Sequence, residues 1–123
     1  MFETRNVFEH DEGVWDIDLL KLAIRAAPGG SLQAQRHPID PGLIDYLKND
    51  GGISWEKVRK LPDQVLDDPA IGIRLKNGAV LTVDGRHRIL ARAERGRPDI
   101  IVHIVPWEIA EACRVAPPRF RKS

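Results

Sequence analysis

Hydrophobic and polar positions along this chain change period at residue 84. Ile71-Gly72-Ile73-Arg74-Leu75 alternates apolar with small or charged residues, and Val80 to Val83 is apolar and largely β-branched. Both runs read as half-buried strands. Asn77-Gly78 between them is a strong hairpin signal. A hairpin over Ile71–Val83 would set Leu75 opposite Val80 and Ile73 opposite Thr82. From Arg86 to Arg95 the period is helical: Ile89, Leu90 and Ala93 share one side, and Arg88, Arg92 and Arg95 the other. Gly96 and Pro98 stop that helix. Ile100–Val105, apolar on both faces, then reads as an interior strand.

Upstream the pattern is weaker. Residues 1–13 are polar and acidic, fitting an extended arm or a first strand around Asn6–Phe8. Leu19, Leu22, Ala23 and Ala26 recur at helical spacing after a partly alternating Val14–Asp18. A short strand entering a helix fits, with Asp16 or Asp18 as cap and Pro28-Gly29-Gly30 as stop; a wholly helical segment fits nearly as well. Gly29 to Asp40, with Gln33, Gln35, Arg36 and His37, reads as a loop. Asp40-Pro41 starts a helix to about Lys48 that buries Leu43, Ile44 and Leu47. Ser54 caps a short helix through Lys60, and Asp63 to Asp68 adds a helical turn. Pro106 opens a last helix to about Arg114, ended by Pro117-Pro118. The mixture predicts one α+β domain, a small α/β layer with a mixed sheet, over residues 1–123, with 117–123 as a basic mobile tail.

Composition narrows the function classes only a little. The chain has 123 residues and a formal net charge of +1, so overall charge argues neither for nor against nucleic acid. Distribution says more. Residues 1–18 hold Glu3, Glu9, Asp11, Glu12, Asp16 and Asp18 against Arg5, whereas residues 86–97 hold Arg86, Arg88, Arg92, Arg95 and Arg97 against Glu94. Arg114, Arg119, Arg121 and Lys122 extend the basic region. Such polarity steers an anionic partner or lets the acidic N-terminus cover the basic side. Cys113 is the single cysteine, which excludes an internal disulfide and a cysteine-rich zinc site. No apolar run reaches membrane-spanning length and no signal pattern opens the chain, so the expectation is a cytoplasmic protein without a membrane partner.

The candidate chemistry sits at the change of period, in Asp84-Gly85-Arg86-His87-Arg88. Gly85 lets the chain turn sharply, and the first helical turn offers unpaired N–H groups and the positive end of the macrodipole. With Arg86, His87 and Arg88 beside it, this corner suits phosphate. Asp84 serves equally as helix cap or as catalytic carboxylate. His87 divides between anion contact and structural support. Arg88 is read as a ligand contact reaching back over the helix end. The default for Arg92 and Arg95 is a solvated face, with nucleic-acid contact, shared with Arg119 and Arg121, as the sharper alternative. His103 reads as a core histidine. Glu94, His10 and His37 have no metal-site spacing, and no metal site is expected.

This motif, with Ala91 and Gly96, resembles the signature of the ParB/sulfiredoxin-like superfamily, in which a strand ends in an acidic residue and a Gly-x-His-Arg turn opens a helix. Gly85, His87 and Arg88 match that turn, and the resemblance covers roughly Ile71 to Val105. It implies a small α/β domain whose turn binds nucleotide phosphates. Arg86 stands where sulfiredoxins carry their catalytic cysteine, so sulfinic acid reduction is not expected. Partition proteins use Gly-Glu-Arg-Arg and continue into further domains, so a minimal single-domain member, of the kind common in phages and mobile elements, fits better. Two expectations follow. One is a nucleotide- or phosphate-binding protein, as a nuclease, nucleotide hydrolase or kinase, with Gly85, Arg86, His87 and Arg88 on the phosphate, Asp84 and His87 catalytic, and Mg2+ arriving with a nucleotide. The other is a non-catalytic module that binds DNA, RNA or a protein partner.

Overall fold

Local capping chemistry fixes where most of the helices begin. In the computed structural model, residues 7–10, 12–27, 32, 34–50 and 52–116 are described; the tail with Arg119 and Arg121, and most of the expected arm, lie outside them. Strand β1 (Val7–His10) pairs antiparallel with β2 (Gly13–Asp16). The Asp16 carboxylate then accepts the Leu19 N–H at 3.1 Å and opens α1 (Ile17–Ala26), so the strand-into-helix reading holds with Asp16 as its cap. Asp40 caps α2 (Pro41–Asp50) through Leu43 N–H at 2.8 Å, and Ser54 caps α3 (Trp55–Lys60) through Lys57 N–H at 3.2 Å. A 3-10 turn follows at Asp63–Val65.

Strand β4 (Ala70–Arg74) and strand β5 (Val80–Asp84) form the expected hairpin. Its register differs by one residue from the expectation: Val80 faces Arg74, and Leu81 faces Ile73. The cause is a longer turn. Leu75 N–H reaches the Ala79 carbonyl at 2.8 Å, and Asn77 Oδ1 takes the Ala79 N–H at 2.9 Å, which ends both strands before Leu75 and Val80 can pair. A shift of one residue exchanges faces, so Leu81 and Val83 point into the core while Val80 stays 39% exposed. Helix α4 (Arg86–Glu94) follows, and Gly96 ends it as expected. Gly96 N–H bonds the Ala93 carbonyl and Arg97 N–H the Arg92 carbonyl, with Gly96 at φ 76°.

Two segments depart from the expected pattern. Residues read as loop form β3 (Ala34–Pro38), paired antiparallel with β6 (Asp99–Val105). It is an edge strand, mostly exposed, and therefore carries no apolar alternation. The last helix, α5 (Trp107–Ala112), is shorter than expected, and the chain returns as β7 (Arg114–Ala116) along β2. Asp16 N–H donates to the Cys113 carbonyl at 3.0 Å and starts that pairing.

The result is an α+β fold with two sheets, β1-β2-β7 and β3-β6-β4-β5. In the larger sheet β6 runs parallel to β4, and the other neighbours are antiparallel. Alternate side chains of this sheet enter two cores. Ile71, Ile73, Leu81, Val83 and Val105 meet Trp15, Ile17 and Leu20 of the first sheet and α1 on one face. Ala70, Ile100 and Val102 meet Leu47, Val58, Leu66, Ile89 and Leu90 of the α2–α4 layer on the other. Trp15 is fully buried, and its indole N–H is satisfied by the Ala110 carbonyl at 3.1 Å. Among the described residues no helix is long and apolar enough to cross a membrane.

Candidate functional site

One extra residue at the end of β5 sets the site. Gly72 pairs with Thr82, but the next residue down, Ile71, pairs with Asp84, so Val83 is a bulge. Ile71 also pairs with His103 across the parallel neighbour β6. Asp84, Ile71 and His103 therefore form one row across three strands, the two polar residues about 10 Å apart at two strand spacings. Without the bulge Asp84 would stand opposite Ala70, on the face of the α2–α4 layer.

The turn into α4 is shaped by packing. Gly85 has φ 91°, and a Cβ there would come within 2.8 Å of Ala70 Cβ and 3.0 Å of Ala70 Cα. A glycine is required on both counts. Asp84 does not cap the helix: Gly85 is the N-cap and no side chain bonds the first turn from that position. The carboxylate of Asp84 instead meets Arg88 Nη2 at 3.4 Å and lies 4.0 Å from Lys21 Nζ. Arg88 Nη2 also donates to the Pro69 carbonyl at 2.8 Å.

Asp84 and Arg88 open onto a cleft of about 270 Å³ that also presents Lys21 and Arg25 of α1, Asp68, and His103 of β6. His103 Nδ1 lies 3.1 Å from the Leu32 carbonyl. A carbonyl only accepts, so the proton sits on Nδ1, and Nε2 is the nitrogen left for a ligand. The cleft thus combines the basic side chains of Lys21, Arg25 and Arg88 with two carboxylates and an oriented imidazole.

The rest of the motif faces elsewhere. Arg86 lies over the Phe8 ring at 5.4 Å, beside Gly52. His87 Nε2 accepts the Ser54 N–H at 3.0 Å and so ties the start of α3 to the start of α4. Burial lowers the His87 pKa below its ordinary 6.5, helped by the nearby charges of Lys57 and Arg86, which keeps the ring neutral and able to accept that bond.

The expected solvated face of α4 is absent at Arg92. This residue is only 9% exposed. Its guanidinium donates to the Asp99 carbonyl at 2.6 Å and the Leu66 carbonyl at 2.7 Å, and meets Asp67 at 3.3 Å. Arg95 reaches Asp63 at 2.9 Å and the Val58 and Arg59 carbonyls at the end of α3. The reason is that α4 is covered twice, by the sheet and by α3 with the segment that follows it. Arg92 is scaffold, whereas Arg95 stays exposed, as the solvated-face reading expects, and pairs with Asp63 at the surface.

Of the residues expected at the site, Asp84 and Arg88 line the cleft; Gly85 builds the turn, while Arg86 and His87 lie beside it. Lys21 and Arg25 of α1, Asp68, and His103 come to the cleft from three separate stretches. The only sequence signal for His103 is its place on an interior strand, which suited a core residue equally well. No group of three or more potential metal ligands occurs among the described residues. No protein-family model, curated protein or solved structure matches this chain.

Proposed function

We propose that the protein binds a phosphate-bearing small molecule, a nucleotide above all, in the cleft beside the start of α4. The observation that carries the reading is the convergence of Lys21, Arg25 and Arg88 on one opening at the motif turn. Arg88 is held in place by Pro69 and Asp84, so it presents a fixed charge at little entropic cost. Lys21 and Arg25 lie on the exposed side of α1 and close on an anion from across the cleft. A nucleotide would carry Mg2+ on its own phosphates, with Asp84 and Asp68 as the carboxylates at hand, which suits a cation that needs no complete protein cage. The resemblance of the Asp84–Arg88 motif to ParB/sulfiredoxin-like turns supports the same ligand class. Hydrolysis or phosphoryl transfer in this cleft would draw its base from His103 rather than His87, whose Nε2 lone pair is already engaged. The nucleic-acid alternative loses Arg92, whose donors are spent inside the protein, while Arg95 is exposed but already pairs with Asp63.

Calorimetric titration with ATP, CTP, GTP and inorganic phosphate, with and without Mg2+, tests the reading. At least one triphosphate binds, and Arg25→Ala and Lys21→Ala each weaken it about five- to tenfold. Both variants keep the melting temperature of the unliganded protein, because surface changes of this kind stay within about 0.5 kcal/mol. Silence with every nucleotide and with phosphate at millimolar concentration overturns the proposal, as does binding that neither substitution alters.

A further inference from the structure

Arg92 and Arg95 are already paired, but α3 beside them carries cations that are not. Helix α3 buries Val58 and turns its outer side to solvent, where Lys57, Arg59 and Lys60 are exposed. Two more basic side chains flank it. Lys48 of α2, also exposed, lies over the Trp55 ring at 5.7 Å, and Arg95 donates to the Val58 and Arg59 carbonyls at the end of the helix. Among the described residues, carboxylates pair with two of these five cations: Glu56 meets Lys60 at 3.3 Å and Asp63 meets Arg95 at 2.9 Å. Lys48, Lys57 and Arg59 bond to no carboxylate there.

The company these cations keep narrows the partner. The large apolar side chains left exposed among the described residues, Leu19, Leu22, Val80 and Val115, all lie on other elements. A stable protein interface needs apolar or aromatic anchors at its centre, and a membrane surface needs apolar side chains to insert beside the charge. This ridge offers neither. Uncommitted cations without apolar neighbours suit a polyanion whose charges recur along a backbone. The one aromatic ring present, Trp55, is half-buried at the start of the helix.

We infer that the outer side of α3 binds single-stranded nucleic acid through its phosphates, with Lys48, Lys57 and Arg59 as the contacting cations and Trp55 as the stacking surface. Lys57 and Arg59 flank the outer side of the helix, so a strand that crosses it meets both. Lys48 is a flexible surface side chain, and its hold on the indole is weaker than base stacking on an aromatic ring. A base that takes its place over Trp55 frees the ammonium for a neighbouring phosphate. None of these residues lines the phosphate cleft, so the inference is independent of the function proposed there.

The test is fluorescence anisotropy of a labelled oligothymidylate against the full chain, over salt from about 50 to 200 mM. Binding at the lowest salt has a dissociation constant on the order of 10⁻⁴ M, and log K falls against log salt with a slope of about −2, the value for three phosphates of a single strand. Replacing Lys57→Gln together with Arg59→Gln brings the slope to about −0.7 and weakens binding at the lowest salt at least about tenfold. The double variant keeps its melting temperature, because both side chains are exposed. The oligonucleotide also quenches tryptophan emission, and Trp55→Phe removes the quench while leaving the salt slope in place. No binding at millimolar protein, a slope that the double variant leaves unchanged, or an unquenched Trp55 overturns the inference. Polyglutamate of equal length binding as tightly overturns it in favour of an acidic protein, and tighter binding of a duplex of equal length overturns the single-strand assignment.

Discussion

The two ends of α4 carry the same residue type and use it in opposite ways. At the start, Arg88 is fastened to Pro69 and Asp84 and lines an open cleft with Lys21 and Arg25. Toward the end, Arg92 is buried and gives its donors to the Leu66 and Asp99 carbonyls, and Arg95 closes the last turn of α3. Charge along a helix is therefore a poor guide to what that charge does. The segment lying over the helix decides: residues 58–68 cover its far end, whereas the bulge in β5 leaves its near end facing the cleft.

The largest effect expected on this contrast comes from the near end, at Gly85. Gly85→Ala places a Cβ against the Ala70 backbone at 3.0 Å while forcing a left-handed φ on a side chain. Strain and overpacking together cost about 2–5 kcal/mol. Urea unfolding of the variant measures this directly. A loss below about 1 kcal/mol would show that the turn relaxes freely, and the fixed geometry assigned to Arg88 would go with it.

At the far end, Arg92→Ala removes the donors for two backbone carbonyls, one of them in a buried contact, and leaves Asp67 without one of its partners. The expected loss is about 2–4 kcal/mol. Binding at the cleft is unchanged in whatever fraction stays folded, because Arg92 does not line it. A variant that keeps full stability but loses affinity for an anion would reverse the assignment of the two ends.

How much of this was legible in the sequence follows from what each signal requires. The β4–β5 hairpin, α4 and β6 were legible because their apolar period is strong and their punctuation, Asn77-Gly78 and Gly96, is specific. β3 was not, since an edge strand bonded on one side and mostly exposed needs no apolar alternation. The fate of Arg92 was hidden because its acceptors are main-chain carbonyls, which have no residue identity to read. The candidate site was half visible. Asp84 and Arg88 lie within one motif, but the bulge that aligns Asp84 with His103 exists only in strand pairing, and α1 brings Lys21 and Arg25 from far along the chain.

The smallest expected effect concerns His87, which belongs to the near end in sequence and to the scaffold in geometry. Burial, Lys57 and Arg86 hold its pKa below 6.5, so in a window just below 6.5 the unfolded chain binds more protons than the folded one. Stability then rises with pH through that window. The contribution is fully present above about pH 6.5 and is lost as pH falls through the depressed folded value. Protonation also removes the acceptor for Ser54 N–H, which acts in the same direction. His87→Gln, which offers a neutral acceptor and does not titrate, should flatten this part of the profile. The measurement is the stability difference between the two proteins from pH 8 to pH 5. A difference that stays constant across that range would mean that His87 is protonated equally well in both states. The cationic field read at the start of α4, on which an anion would depend, would then have no independent sign.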